Sequence, residues 1–224
     1  RALRRDRVET VEDFPRDVAE LQRLLAPPAP GQRIVATPGA GTNVPIWLLG
    51  SSLFSAQLAA ERGLPYAFAS HFAPRLLHEA ITLYRQQFRP SAVLAKPYVM
   101  IGVPLIAAPT DAEAEYLASS MYQRVLGILR GERLRLQPPQ ENFMARLHPQ
   151  ERAAIQDFLA AAVIGSPETV RRGFAQLAQS TQADEFILTC DIYDPALRLR
   201  SLDIAAQVRD EMNGAAAPSA QRAK

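Results

Sequence analysis

Between Tyr98 and Ala107 the chain runs YVMIGVPLIA, ten residues without a charge. The run is too short to cross a membrane, which takes about 20 apolar residues. It is also too continuous for a strand with one wet face. It reads as a strand covered on both sides, the situation of a parallel sheet packed between helices. Three shorter runs repeat the theme: Pro45 to Leu49, Tyr66 to Ala69 and Phe186 to Cys190.

Helical text separates these runs. Gly50-Ser51-Ser52 leads into Leu53, Gln57, Leu58 and Glu61, and Gly63 ends that helix. After Pro74, Leu77, Ile81, Tyr84 and Phe88 recur at helical spacing. Thr110 with Glu113 forms a capping box before Leu117, Met121 and Val125. Asp194-Pro195 opens a last helix through Leu199, Leu202, Ala206 and Val208. Ahead of the first strand, Asp13 is the expected cap of a helix with Pro15 in its first turn and Phe14, Val18, Leu21 and Leu25 on one stripe. Residues 130–150 break the rhythm and read as a surface excursion, followed by a helix from Gln150 to Ala162 and another opened by Ser166-Pro167-Glu168. The tail 213–224 is expected to be disordered.

Strand and helix alternating four times, with crossovers long enough for parallel pairing, define an α/β architecture. Periodicity leaves two forms open: a doubly wound sheet of four or five strands, or part of a closed barrel. A complete eightfold barrel needs about 250 residues and eight strands, so a chain of 224 residues with four strands is expected to hold only about half of one.

Charge narrows the function. Lys and Arg number 25 against 23 Asp and Glu, a net charge of +2, which gives no footprint for nucleic acid. The single cysteine, Cys190, rules out an intrachain disulfide and suits a reducing cytoplasm. Three histidines, His71, His78 and His148, leave little material for a metal site. The N-terminal RALRRDR leads into no apolar run and is not a signal peptide; the lack of an initiator Met suggests a start inside a longer chain.

Sites in parallel α/β proteins lie at the C-terminal ends of strands. The first strand ends in Gly50, Ser51 and Ser52, with Ser55 one turn into the helix. These hydroxyls and the free N–H groups of a helix start can bind an anion, or one of them can simply cap the helix. The second strand ends in Ser70 and His71, where a histidine either meets a ligand or serves the loop. Thr189, Asp191 and Tyr193 form a polar rim at the fourth, with Cys190 read as buried and Asp194 as a cap. Arg198 and Arg200 read as solvent-facing, with phosphate as their other possible partner. Gly39-Ala40-Gly41-Thr42 lacks a preceding strand and is read as a turn.

These strand ends resemble the bacterial luciferase-like family of flavin-dependent oxidoreductases. The likeness is carried by PIWLLGSS (45–52), GLPYAFASHFAP (63–74), KPYV (96–99), IGSPETV (164–170), FILT (186–189) and RLRSL (198–202). It implies a (β/α)8 TIM barrel represented by its C-terminal part, strands five to eight, spread over residues 1–212 with the excursion at 130–162. It further implies an FMN-dependent monooxygenase that uses reduced flavin and O2 on a small organic substrate. FMN is preferred over the deazaflavin cofactor of some relatives. Gly50, Ser51, Ser52 and Ser55 would hold the flavin phosphate, and His71 would lie near flavin or substrate. A separate NAD(P)H-dependent flavin reductase and a homodimer follow from the same likeness. A non-catalytic flavin-binding homologue and a doubly wound phosphate- or protein-binding domain are the alternatives.

Overall fold

The computed structural model describes residues 13–132 and 135–216. RALRRDR and the tail beyond Ala216 lie outside the described residues. The chain divides into two compact units at Leu48/Leu49.

In the first unit, helix α1 (Phe14–Leu25) starts as expected, but Asp13 does not cap it. Its carboxylate pairs with Arg16 at 2.9 Å instead. Of the expected stripe, Val18 alone is buried. The following loop folds back onto the helix end, where Gly41 and Asn43 donate N–H bonds to the Leu25 carbonyl at 3.1 and 3.0 Å. Those bonds satisfy a carbonyl that the helix leaves orphaned. Thr42 Oγ1 donates to Gly39 O at 2.6 Å, so residues 39–42 are a turn, as read from the sequence.

The second unit carries a parallel sheet. Its strands are β1 (Leu48–Gly50), which begins at the seam, β2 (Tyr66–Phe68), β3 (Val99–Ala107), β4 (Val163–Gly165) and β5 (Glu185–Thr189). Their order is β1-β2-β3-β4, with β5 also on β3. The long apolar run is the hub. Val99 to Ile101 pair with β2, Met100 to Pro104 with β5, and Leu105 to Ala107 with β4. Helices α2 (Leu53–Arg62), α3 (Leu77–Gln87), α4 (Asp111–Leu129), α5 (Pro149–Phe158), α6 (Pro167–Thr181) and α7 (Pro195–Ala216) complete the unit.

Side chains alternate across a strand, and the register sorts them. Tyr66, Phe68, Val99, Ile101 and Val103 share one face and are wholly buried. Ala67, Met100, Gly102, Pro104, Ile187 and Thr189 share the other. Ile187 there is 51% exposed, and Leu49, pointing away from buried Leu48, is 64% exposed. One sheet face is therefore core throughout, while the other is buried at Ala67, Gly102 and Pro104 and exposed at the flanking strands, at Leu49 and Ile187.

Several expectations need correction. β4 is a fifth strand that no periodicity announced, and α5 stops at Phe158 rather than Ala162. Ser166 stands at the cap of α6 without a side-chain capping bond. Thr110 Oγ1 does accept the Glu113 N–H at 3.2 Å, but the Glu113 carboxylate pairs with Arg200. Asp194 caps α7 as expected, accepting from Ala196 and Leu197 at 2.8 and 3.1 Å.

Candidate functional site

The turn from β1 into α2 is built from small residues because it is crowded. A Cβ on Gly50 would lie 2.3 Å from Ser55 Oγ, so only glycine fits there. Ser55 is buried. Its hydroxyl donates to the Ser52 carbonyl at 2.8 Å and lies 3.2 Å from the Tyr66 hydroxyl. Burial pushes the Tyr66 phenol up, and the Ser55 contact partly offsets that. Ser52, in extended conformation, caps α2 by accepting the Ser55 N–H at 3.3 Å. Of the roles considered for these serines, Ser52 takes capping; Ser55 braces the turn from inside, and half-buried Ser51 and exposed Ser52 stand at its surface. The N–H groups of Leu53 and Phe54, in the first turn, have no acceptor within the helix.

Electrostatics sets this helix start apart. Among the described α-helices that come after a strand, α2 alone begins with no carboxylate at its cap or in its first turn; the short 3-10 turn Pro74–Leu76 ahead of α3 has none either. Glu79 stands in the first turn of α3 and Asp111 and Glu113 in that of α4. Asp194 caps α7. At α6, Glu168 lies in the first turn, and Asp111 Oδ1 accepts the Ser166 N–H at 2.6 Å. That N–H, with the Thr169 and Ser166 hydroxyls, holds the Asp111 carboxyl below its ordinary range. The positive end of the α2 dipole thus has no carboxylate of its own helix beside it.

At the neighbouring strand end, Ala69 N–H donates to Gly50 O at 2.9 Å, tying the two turns together. Ser70 is fully buried and donates to Gly102 O at 2.6 Å. The half-buried His71 ring lies on Gly102: a Cβ there would fall 2.1 Å from Nδ1, an atom buried without a hydrogen-bond partner. His78 is exposed on α3, while His148 Nδ1 accepts the Gln150 N–H at the start of α5.

The rim beyond β5 is largely committed to structure. Asp191 pairs with Arg124 of α4 at 2.5 Å. Burial pushes the Cys190 thiol up, away from nucleophilic chemistry. Arg198 is not turned to solvent: its Nε and Nη2 donate to Ile192 O at 3.1 and 3.0 Å. Arg200 is held by Glu113. Tyr193 remains 48% exposed.

Two features escaped the sequence reading. The first is Gly102 as the seat of His71, signalled only by a glycine inside an otherwise bulky strand. The second is the attachment of the excursion. Gln140 bonds Gln123 and Ser119 of α4, both at 2.7 Å, and Phe158 of α5 meets Phe72 edge-on with ring centres 6.4 Å apart. Phe72 follows His71 and is 60% exposed, so this aromatic pair borders the same strand end.

The sequence profile of luciferase-like monooxygenases matches residues 1–185. The chain belongs to that family. A luciferase-like monooxygenase of Escherichia coli (strain K12) is 43% identical over 213 residues, covering 95% of this chain and 64% of the relative. The uncharacterized protein YvbT of Bacillus subtilis (strain 168) is 44% identical over 209 residues, covering 93% and 62%. The crystal structure of apo-MsnO8 superposes with a TM-score of 0.74 at 28% identity, over 93% of this chain and 63% of that one. This luciferase-like chain therefore spans somewhat less than two thirds of the length of these relatives. Its parallel sheet with flanking helices is a partial barrel of the luciferase-like type.

Proposed function

We propose that the protein to which this chain belongs is an FMN-dependent monooxygenase, oxidising a small organic substrate with reduced flavin and O2. In this reading Gly50, Ser51 and Ser52 anchor the flavin phosphate. The observation that carries it is the start of α2, with two open N–H groups, two surface hydroxyls and no carboxylate of its own. That donor set suits a phosphate dianion, and its position at the C-terminal end of a parallel strand suits a cofactor.

Each group has a task. Leu53 and Phe54 donate their N–H groups to phosphate oxygens, and Ser51 and Ser52 add hydroxyl donors. Gly50 lets the turn close, and Ser55 holds it closed from beneath through Ser52 O and Tyr66. Reduced FMN supplies, when bound, the electrons that activate O2. The apolar face beside the anchor, with Ala67, Met100 and Ile187, gives the planar ring a floor and keeps water from it.

The family likeness extends the proposal to a separate NAD(P)H-dependent flavin reductase and to a homodimer. No helix among the described residues is long and apolar enough to cross a membrane, and with one cysteine the cytoplasm is the proposed location. NADPH oxidation by the purified protein alone would contradict the separate reductase.

Ser52→Asp tests the anchor. Aspartate caps a helix about as well as serine, so the unfolding midpoint should hold. A carboxylate in the anion's place should weaken FMN binding, read by fluorescence quenching, by at least about tenfold. Unchanged affinity would remove the anchor.

A further inference from the structure

Gly102 and His71 form an arrangement that the phosphate anchor does not explain. In the sheet register Gly102 lies opposite Ile187, on the face that also carries Met100 and Pro104. The position that a Cβ would take on Gly102 is 2.1 Å from His71 Nδ1 and 3.0 Å from Cε1. In glycine a hydrogen occupies that direction, so a Cα–H bond is aimed at Nδ1. The neighbouring turn cannot drift, because Ser70 Oγ is bonded to the carbonyl of the same glycine at 2.6 Å. Nδ1 is buried and has no other partner.

A ring nitrogen facing a C–H can present a lone pair, for which the C–H is a weak donor. It cannot usefully present an N–H, which would be buried against hydrogen with no acceptor. The ring proton therefore belongs on Nε2, the nitrogen away from Gly102. We propose that Gly102 fixes His71 in its Nε2–H tautomer, and that Nε2–H donates a hydrogen bond to a carbonyl oxygen of the bound flavin ring. The reading rests on FMN binding as proposed above. The turn carrying His71 and the turn carrying the anchor are adjacent, joined by the bond from Ala69 N–H to Gly50 O at 2.9 Å. One ligand with a phosphate at one end and a carbonyl-bearing ring at the other would engage both. Ile187 and Met100, which flank Gly102 on this face, carry no oxygen or nitrogen in their side chains, and the Nε2–H is assigned to the ligand.

Two measurements on the intact protein test this. Long-range proton–nitrogen correlation spectra, with the His71 signals identified by their loss in His71→Phe, should report Nε2–H before any flavin is added. An Nδ1–H tautomer would overturn the proposal. In FMN and riboflavin titrations, His71→Phe keeps a ring and removes the donor, and should weaken both ligands by about tenfold. His71→Gln restores an N–H at a similar reach and should recover most of the affinity. Gly102→Ala should reproduce the His71→Phe loss by dislodging the ring. Ser52→Asp should weaken FMN but not riboflavin. If Ser52→Asp acts while His71→Phe and Gly102→Ala bind like the parent, the His71 proposal fails alone. If the parent binds neither flavin, the underlying functional reading fails as well.

Discussion

Ser55 illustrates how one hydroxyl can look like a ligand in sequence and serve a different purpose in space. Its place one turn into a helix after a glycine-serine turn suits an anion site equally well on either side of that turn. The structure turns the hydroxyl inward, against Gly50, Ser52 O and Tyr66. Ser55→Ala should consequently cost stability, about 1–2 kcal/mol for a buried hydrogen-bonded hydroxyl, measured by urea unfolding. A variant as stable as the parent would mean that the turn needs no internal brace. His71 shows the converse. Its presence at a strand end was legible, but the reason for its orientation lies 31 positions away, in the missing side chain of Gly102.

At the scale of elements, legibility followed length and regularity. β3, with nine residues and no charge, was readable at once. β4 has three residues, too few to alternate visibly, and the proline and acid of α6 follow it directly. The excursion was recognised by its charge and its prolines. Its anchorage was not, because Phe143, Met144 and Leu147 reach the α4 cluster from one short 3-10 turn (Met144–Arg146), too brief to show a period. Asp111 joins two elements and gives a pH prediction. Its folded carboxyl is held below the ordinary value by the start of α6. The stabilisation it confers is complete above its unfolded pKa, about 3.9, and is lost as pH falls through the folded value. Asp111→Asn should be less stable than the parent at pH 7, and their urea midpoints should converge as the pH drops below about 4. A constant difference across that range would assign the effect to shape rather than charge.

For the whole molecule, the informative contrast is between the two sheet faces. The alternation of strand and helix made a parallel sheet foreseeable, while the choice between open sheet and barrel came from family likeness. The structure adds a face on which Leu49 and Ile187 are exposed. In a barrel of the luciferase-like type that face is interior. Ile187→Glu should therefore destabilise the intact protein by several kcal/mol, the cost of an unpaired charge in an apolar interior. A thermal midpoint equal to the parent's would mean that the face stays wet. A crystal structure of the intact protein with FMN would show directly whether the start of α2 holds the phosphate. Phosphate oxygens should lie within hydrogen-bonding distance of the Leu53 and Phe54 N–H groups and the Ser51 and Ser52 hydroxyls. A phosphate seated at any other helix start would contradict it.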